Sequence, residues 1–194
     1  MELSEADLDR DPLRQFESWF DAAREAGVRA PEAMALATAA PDGAPSARMV
    51  LLKGVDERGF AFFTSYESRK GSELEANPRA ALLFYWEPLG RQVRVEGMVE
   101  RVSAEESDSY FASRAPGSRA GAAASRQSRP LADRAELDRE VAALGDDVPR
   151  PEWWGGYRVR PERYEFWQHR ENRLHDRFRY DRDGLRWSIQ RLYP

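Results

Sequence analysis

Short segments with the two-residue periodicity of β-strands recur through most of the chain, and turn-forming residues separate them. The pattern is clearest in the segment 91–101, where Val93, Val95 and Val99 fall on one face and the polar side chains between them fall on the other. Such alternation is typical of an antiparallel strand with one buried face. Many short strands with few helices predict a mainly β fold with peripheral α-helices, in the form of a closed or split antiparallel barrel.

Turn and capping residues set the limits of the predicted elements. The step Asp11-Pro12 is typical of a helix start, and apolar residues then recur at helical spacing until Gly27. Ser103 and Glu106 form a capping-box pattern that opens a helix through 110. The other predicted helices are 68–76 and 131–144, and the predicted strands are 33–39, 46–53, 60–64, 80–86, 91–101, 157–168, 177–181 and 185–192. The polar segment 115–130 is predicted to be a functional or mobile loop.

Length and composition predict one globular domain. The chain has 194 residues, so 1–194 is predicted to be a single domain whose residues 1–10 form a flexible N-terminal segment. No apolar run approaches the roughly 20 residues that span a bilayer, and the acidic start lacks the pattern of a secretory signal. Because there is also no cysteine for disulfides, we expect a cytoplasmic protein without a membrane partner. The net charge of −4 argues against a nucleic-acid binder.

The residue types and motifs present exclude several kinds of chemistry. With no cysteine and only two histidines, His169 and His175, the sequence offers neither a thiolate nucleophile nor a Cys/His zinc set, and no metal is expected. Neither a G-x-S-x-G motif, nor a Walker A loop, nor a G-x-G-x-x-G motif after a strand occurs. Of the 30 basic residues, only Lys53 and Lys70 are lysines. Where arginine is the default cation, a lysine indicates either a need for a compact ammonium donor or chance.

One cluster of cations and hydroxyls lies at predicted strand ends and a helix start. It comprises the segment 48–53, Thr64 and the run Ser68-Arg69-Lys70. Free N–H groups at a helix start, together with cations and hydroxyls, suit a phosphate group, although solvated cations at strand ends would show the same pattern. Arg48 and Lys53 are five positions apart, so strand parity predicts that they point to opposite faces and serve different groups.

Two further clusters lie in the second half of the chain. The first comprises Tyr110, Arg114, Ser118 and the run Arg126-Gln127-Ser128. Its hydroxyls and arginines suit a second phosphate, or they are solvated loop residues. The last cluster joins the segment 165–168 to the segment 173–177 and combines an aromatic plate with cations and an imidazole. It suits a flat polar ligand, or a core tryptophan beside a surface ion-pair network.

Six short motifs together resemble the pyridoxamine 5'-phosphate oxidase family in order and spacing. They are Arg-Met-Val-Leu-Leu-Lys at 48–53, Ser-Arg-Lys at 68–70, Arg-Gln-Val at 91–93, Arg-Gln-Ser at 126–128, Phe-Trp-Gln at 166–168 and Arg-Leu-His-Asp-Arg at 173–177. The resemblance runs from about Asp11 to Pro194. It implies an FMN-binding split β-barrel in which two identical chains form a homodimer, with the flavin in clefts at their interface.

The resemblance also implies the site residues, position by position. The residues that would hold FMN are Arg48, Met49, Val50, Leu51, Phe63, Thr64, Arg69, Lys70, Gln92, Gln127, Ser128, Trp167 and Arg177. Within this set Arg69 and Lys70 fit the phosphate, and Gln92 and Trp167 fit the isoalloxazine. The residues that would bind the substrate are Lys53, Tyr110, Arg114 and Ser118 at its phosphate, and Arg173 and His175 at its pyridine ring. The last two are the catalytic candidates, as groups that position the substrate.

The implied reaction is the oxidation of pyridoxamine or pyridoxine 5'-phosphate to pyridoxal 5'-phosphate, part of vitamin B6 salvage and pyridoxine biosynthesis. Hydride would pass from C4' to flavin N5, and O2 would reoxidise the flavin to give H2O2. The chain departs from the family pattern at Ala115, Ala123 and His169-Arg170, and in its acidic N-terminus. The alternatives are a split-barrel oxidase of another reduced ring, as in phenazine biosynthesis, and a noncatalytic flavin or haem carrier. The predicted substrate-phosphate residues argue against both.

Overall fold

The computed structural model describes residues 2–145 and 147–194, and within them the chain is mainly β with peripheral α-helices, as predicted. The strands are β1 (Ala33–Ala39), β2 (Pro45–Leu51), β3 (Gly54–Asp56), β4 (Gly59–Ser65), β5 (Arg79–Trp86), β6 (Arg91–Arg101), β7 (Trp154–Gln168), β8 (Asp176–Asp183) and β9 (Arg186–Arg191). The helices are α1 (Pro12–Glu25), α2 (Arg69–Ala76), α3 (Ala104–Ala112), α4 (Pro116–Ala124) and α5 (Arg134–Leu144). No helix in the described ranges is both long and apolar enough to cross a membrane.

The strands form one antiparallel sheet that folds as a split β-barrel. Their order is β2-β1-β5-β6-β7-β4-β3, and β8 pairs with β7 and β9. Strand β6 pairs along its length with β5 and β7, and its valines at 93, 95 and 99 are buried, which confirms the predicted alternation. The pairing with β7 shifts between Glu96 and Gly97. A Cβ on Gly97 would lie 1.9 Å from the Arg160 carbonyl oxygen, so this bulge requires glycine.

Helix α1 supplies the apolar side chains that close the core. Its predicted start is confirmed, because the Asp11 side chain accepts a hydrogen bond from the backbone N–H of Leu13 and Pro12 stands in the first turn. The Phe16 ring is fully buried and lies 4.8 Å from Phe60 and 5.0 Å from Phe84, centroid to centroid. The core therefore sits between α1 and one face of the sheet.

The segment 115–130 is not the loop that its composition predicts. Residues Pro116–Ala124 form α4, and α5 begins at Arg134, three residues later than predicted. Proline in the first turn and a run of alanines favour helix, and Ala120 is buried. The glycine and serine content of this segment predicted a loop. The helix propensity of its alanines and the packing of Ala120 instead favour a helix. Residues 125–133 form the shorter connection between the two helices.

The N-terminal segment differs from the flexible arm that the sequence suggests, with Met1 outside the described residues. Leu3 and Leu8 are buried in the core cluster. The backbone N–H of Leu3 donates to the Asp176 carboxylate at 3.1 Å, and the Tyr180 hydroxyl donates to the Asp9 carbonyl at 2.8 Å. Two leucines five residues apart therefore dock this acidic segment on β8, because burying them outweighs the cost of ordering a short arm.

Candidate functional site

A cleft of about 590 Å³, the main cleft of the predicted site, opens between β2, β4 and the first turn of α2. Residues from the end of α3, the connection after α4 and the start of β7 complete its wall. Its lining consists of Ser46, Ala47, Arg48, Met49, Val50, Leu51, Lys53, Phe63, Thr64, Arg69, Lys70, Tyr110, Arg114, Gln127, Ser128 and Trp154. The fold therefore brings most of the first two predicted clusters into one place.

Lys70 is the buried cation at the base of this cleft. The Ser68 side chain caps α2 and also accepts a hydrogen bond from Lys70 Nζ at 3.2 Å. The same Nζ donates to Gln127 Oε1 at 2.7 Å and to Thr64 Oγ1 at 3.1 Å. Burial and the nearby charge of Arg48 lower the pKa of Lys70 from 10.5 to about 8, although Glu73 acts in the opposite direction. An anion in the cleft would restore the preference for the charged form.

Glu73 pairs with two of the arginines that line the cleft, Arg48 and Arg69. Its carboxylate lies 2.9 Å from Arg69 Nε and 3.2 Å from Arg48 Nη2. The hydroxyls of Thr38 and Ser46 also donate to it, at 2.5 and 2.6 Å. Burial opposes the ionisation of Glu73, but these hydrogen bonds and the charge of Arg48 outweigh burial and lower its pKa to about 2. Glu73 lies outside the six motifs, so it was missed, and only its spacing of four from Arg69 signals the pair.

Arg48 and Lys53 line the same cleft, although strand parity predicts opposite faces. Residues on both faces of β2 reach this cleft, because consecutive residues from Ser46 to Leu51 line it, and β2 ends at Leu51, two residues before Lys53. Beyond that end the chain turns, and the backbone N–H of Lys53 donates to the Ala61 carbonyl at 2.8 Å. The Arg48 guanidinium instead donates inward to the Leu36 carbonyl at 3.1 Å. Of these two residues, Lys53 is thus the exposed cation.

An aromatic group forms the wall of the cleft beside Arg114. The rings of Phe63 and Tyr110 stack with centroids 4.0 Å apart, and Trp154 lies nearly parallel to both. The Arg114 guanidinium carbon lies 4.8 Å from the Trp154 ring centroid. Within the described residues, Arg114 Nη1 is buried without a hydrogen-bond partner. Burial also lowers the pKa of Arg114, and an anion would satisfy both the charge and this donor.

Trp154 is a lining residue that the sequence analysis missed. The glycines that follow it are the available signal, because they allow other side chains to approach β7 closely. A Cβ on Gly155 would lie 2.1 Å from the Tyr66 hydroxyl, and one on Gly156 would lie 2.7 Å from Phe63 Cε1. Ser118, a predicted substrate residue, lines an adjacent cavity of about 370 Å³, which shares Phe63, Thr64, Arg114, Gln127 and Trp154 with the main cleft.

The remaining predicted site residues form a separate group at the ends of β6, β7 and β8. Gln92 pairs with Trp167, and Trp167 pairs with Arg177, so the three form one row across the sheet. The Arg177 guanidinium lies 2.9 Å from the buried carboxylate of Glu165. The rings of Trp167 and His175 are 4.5 Å apart, centroid to centroid. The described lining of the main cleft does not include this group, so one chain alone does not unite the predicted site.

Backbone strain coincides with the predicted site. Ser128, Asn172 and Arg173 have φ values of 74°, 56° and 62°, and they are the non-glycine residues with positive φ in the described chain. Two of them are predicted site residues, and Asn172 precedes Arg173. Such conformations cost about 1–3 kcal/mol each and cluster where a binding site needs a fixed geometry. The turn at Arg173 also leads to His175, whose Nδ1 accepts a hydrogen bond from the backbone N–H of Arg170 at 3.1 Å.

Family models match nearly the whole chain. Residues 20–146 match the model described as pyridoxamine 5'-phosphate oxidase. Residues 154–194 match the model described as pyridoxine 5'-phosphate oxidase C-terminal dimerisation region. A curated relative, the pyridoxine/pyridoxamine 5'-phosphate oxidase of Rubrobacter xylanophilus, is 62% identical over 99% of this chain and 91% of its own length.

Solved structures agree with this fold. PhzG from Burkholderia lata 383, solved in complex with tetrahydrophenazine-1-carboxylic acid, is 38% identical with a TM-score of 0.94, over 100% of this chain and 98% of that one. A pyridoxamine 5'-phosphate oxidase-related, FMN-binding protein from Nostoc punctiforme is 16% identical with a TM-score of 0.80, over 96% of this chain and 100% of that one. At that identity the second similarity supports the fold alone.

Proposed function

We propose a flavin-dependent oxidase activity for this chain, which belongs to the pyridoxamine 5'-phosphate oxidase family. The proposed reaction oxidises pyridoxamine 5'-phosphate or pyridoxine 5'-phosphate to pyridoxal 5'-phosphate, with O2 as acceptor and H2O2 as product. The observation that carries this proposal is that one cleft contains four cationic side chains predicted to bind phosphate. They are Lys53, Arg69, Lys70 and Arg114. Two phosphates, one on the cofactor and one on the substrate, account for four such cations.

The residues of the cleft fit FMN. Lys70 and Arg69 at the α2 start, with Thr64, Gln127 and Ser128, would hold its phosphate, because they combine charge with hydroxyl and amide groups. The row Gln92, Trp167 and Arg177 would contact its ring system. Bound FMN would supply the two-electron acceptor chemistry that amino-acid side chains lack. The cytoplasmic location expected from the sequence belongs to the same proposal.

The substrate residues have two different tasks in this proposal. Lys53, Tyr110, Arg114 and Ser118 would bind the substrate phosphate, and Arg114 Nη1, which has no hydrogen-bond partner within residues 2–145 and 147–194, supports that role. Arg173 and His175 would position the pyridine ring. Because His175 Nδ1 accepts a backbone hydrogen bond, the proton of the neutral ring is on Nε2, which is thus the donor left for a ligand.

A homodimer is the assembly that would unite the two groups of residues. One face of the sheet changes from apolar to ionic along a single row, from Met49 through Ala35 and Leu83 to Arg94 and Glu165. Met49 is 64% exposed and Tyr85 is 56% exposed on this face. An exposed apolar patch rimmed by charges is typical of a protein interface. The match of residues 154–194 to a dimerisation region supports a second copy of this chain as its partner.

A second candidate function is the oxidation of another reduced ring, and the similarity to PhzG favours it. A noncatalytic flavin or haem carrier remains the third. Oxygen uptake by purified, FMN-loaded protein separates the three. We expect uptake and H2O2 release with pyridoxamine 5'-phosphate or pyridoxine 5'-phosphate. Turnover of a reduced phenazine carboxylate alone would favour the second function, and no turnover of any of them would favour the carrier.

A further inference from the structure

Trp154 stands where the two cavities of the site meet. It lines both the main cleft and the adjacent cavity that contains Ser118. Its side chain is only 6% exposed, and it is the first residue of β7. The backbone carbonyl of Trp154 accepts a hydrogen bond from Arg150 Nη1 at 2.7 Å, and Arg150 Nε lies 2.6 Å from Asp108 of α3. The position of this ring is therefore fixed relative to α3.

The Trp154 ring lies beside three side chains, two from the end of α3 and one, Arg114, from just after it. Its plane is within 7° of the Tyr110 ring, at 6.2 Å between centroids. The Phe111 ring meets it edge-on at 5.0 Å, and the Arg114 guanidinium lies over it at 4.8 Å. Two of the three, Tyr110 and Arg114, are among the four residues proposed to bind the substrate phosphate.

The state of Arg114 argues that this ring does more than fill the core. A guanidinium beside a carboxylate would be neutralised, but Arg114 lies over an aromatic face that attracts its charge without using its Nη1 donor. Nη1 is accordingly buried and has no hydrogen-bond partner among the described residues. The flat face of the Arg114 guanidinium is thus held by the Trp154 ring, and its Nη1 donor remains available to bind a phosphate.

We propose that Trp154 is a positioning residue for the substrate phosphate, which it orients through Arg114 and Tyr110. This inference rests on the proposed function, and it adds to it a residue outside the predicted site. Trp154 would contribute to selectivity for a phosphorylated substrate over the same molecule without phosphate. Trp154 would act on the substrate phosphate mainly through Arg114. Replacing Trp154 should therefore have little further effect on KM in a variant that already lacks the Arg114 side chain.

The test compares Trp154→Leu, Trp154→Phe, Arg114→Ala and the double variant in the FMN-loaded protein. Trp153→Leu is the matched control, because Trp153 is 43% exposed and lines a different groove beside α5. For Trp154→Leu we expect KM for pyridoxamine 5'-phosphate to rise about tenfold, with kcat within about twofold. KM for unphosphorylated pyridoxamine should not change. Trp154→Phe should restore most of the loss, Trp153→Leu should match wild type, and the double variant should match Arg114→Ala.

Binding of inorganic phosphate, measured by calorimetry, provides a readout without turnover. We expect Trp154→Leu and Arg114→Ala to weaken it alike, and Trp153→Leu to leave it unchanged. An equal rise in KM for both substrates, additive losses in the double variant, or unchanged KM and phosphate binding in Trp154→Leu would each overturn the proposal. If Trp154→Leu does not fold, Trp154→Phe decides by the same criteria, with about a threefold rise expected. If wild type turns over neither pyridoxamine 5'-phosphate nor pyridoxine 5'-phosphate, the proposed function fails, and phosphate calorimetry still decides the role of Trp154.

Discussion

At the residue scale, the charges of the cleft are balanced in two different ways. Glu73 neutralises Arg48 and Arg69 from inside the fold, whereas Lys70 is surrounded by neutral oxygens of Thr64 and Gln127. Lys70 consequently has a pKa near 8, lowered by burial and by Arg48. A buried ammonium without a carboxylate partner is costly unless an anion compensates it. The cleft is therefore prepared for an anion before one binds.

The lowered pKa of Lys70 makes a prediction about pH. The free protein loses this charge as pH rises through about 8, whereas a bound phosphate would keep it. We therefore expect FMN affinity to be highest below pH 8 and to fall between pH 8 and 9. Fluorescence titration of the apoprotein measures this, and riboflavin serves as the control because it has no phosphate. Equal pH dependence for riboflavin and FMN would show that Lys70 does not contact the phosphate.

Replacing Lys53 or Arg173 by alanine should affect KM and kcat differently. Lys53→Ala removes a charged contact remote from the reacting carbon, worth about 1.5–3 kcal/mol, so KM should rise about 10- to 100-fold with kcat largely kept. Arg173→Ala should lower kcat as well, because it loosens the position of the substrate ring. Anaerobic stopped-flow measurement of flavin reduction separates the two.

A melting curve on each sample controls for folding. If Arg173→Ala only lowers thermal stability and reduces flavin at the wild-type rate with saturating substrate, Arg173 braces the turn before β8 and does not position the substrate.

At the element scale, Glu73 joins α2 to β1 and β2 through Arg48, Thr38 and Ser46. Its pKa of about 2 lies below the usual 4.5, so its contribution to stability is complete above pH 4.5 and disappears as pH falls through about 2. This shift corresponds to about 3 kcal/mol. The start of α2, with Ser68 and Lys70, is thereby fixed against the sheet.

We expect Glu73→Gln to lower the free energy of unfolding at pH 7 by about 3 kcal/mol, because it leaves Arg48 without a counter-ion. Urea denaturation at pH 7 and at low pH measures this, and the difference from wild type should shrink toward pH 2. Glu75→Gln on the same helix is the control, since its ion pair with Arg101 is exposed and should contribute little. A loss equal to that of Glu75→Gln would contradict the role given to Glu73.

At the scale of the whole molecule, the division of the predicted site into two groups predicts the assembly. If a second copy covers the apolar half of the sheet face, a charge there should separate the copies. We expect Tyr85→Glu to shift the protein from dimer to monomer in sedimentation, and to weaken FMN binding although Tyr85 is outside the predicted FMN set. Glu162→Gln, exposed and apart from the apolar row, is the control. A monomeric Tyr85→Glu variant with wild-type FMN affinity and turnover would show that one chain suffices.

The sequence by itself determined all the strands except the short β3, most of the helices and the identity of the family. The alternation at 91–101 and the Asp11-Pro12 and Ser103 caps carry local physical signals, because periodicity and capping act within a few residues. One of the motifs likewise named Lys70, and the family resemblance named Arg114 by its position. Helix α4 was not predicted, because the glycine and serine content of its segment indicated a loop more strongly than its alanines indicated a helix.

Only the tertiary structure decided which of these residues meet. Arg48 and Lys53 share a cleft because residues on both faces of β2 reach it, and Trp154 reaches Arg114 because its glycine neighbours let β7 approach the site closely. Glu73 became visible as the counter-ion of two arginines only when α2 packed on β1 and β2. Contacts between residues distant in the chain depend on how elements pack, and periodicity along one segment carries no information about that packing.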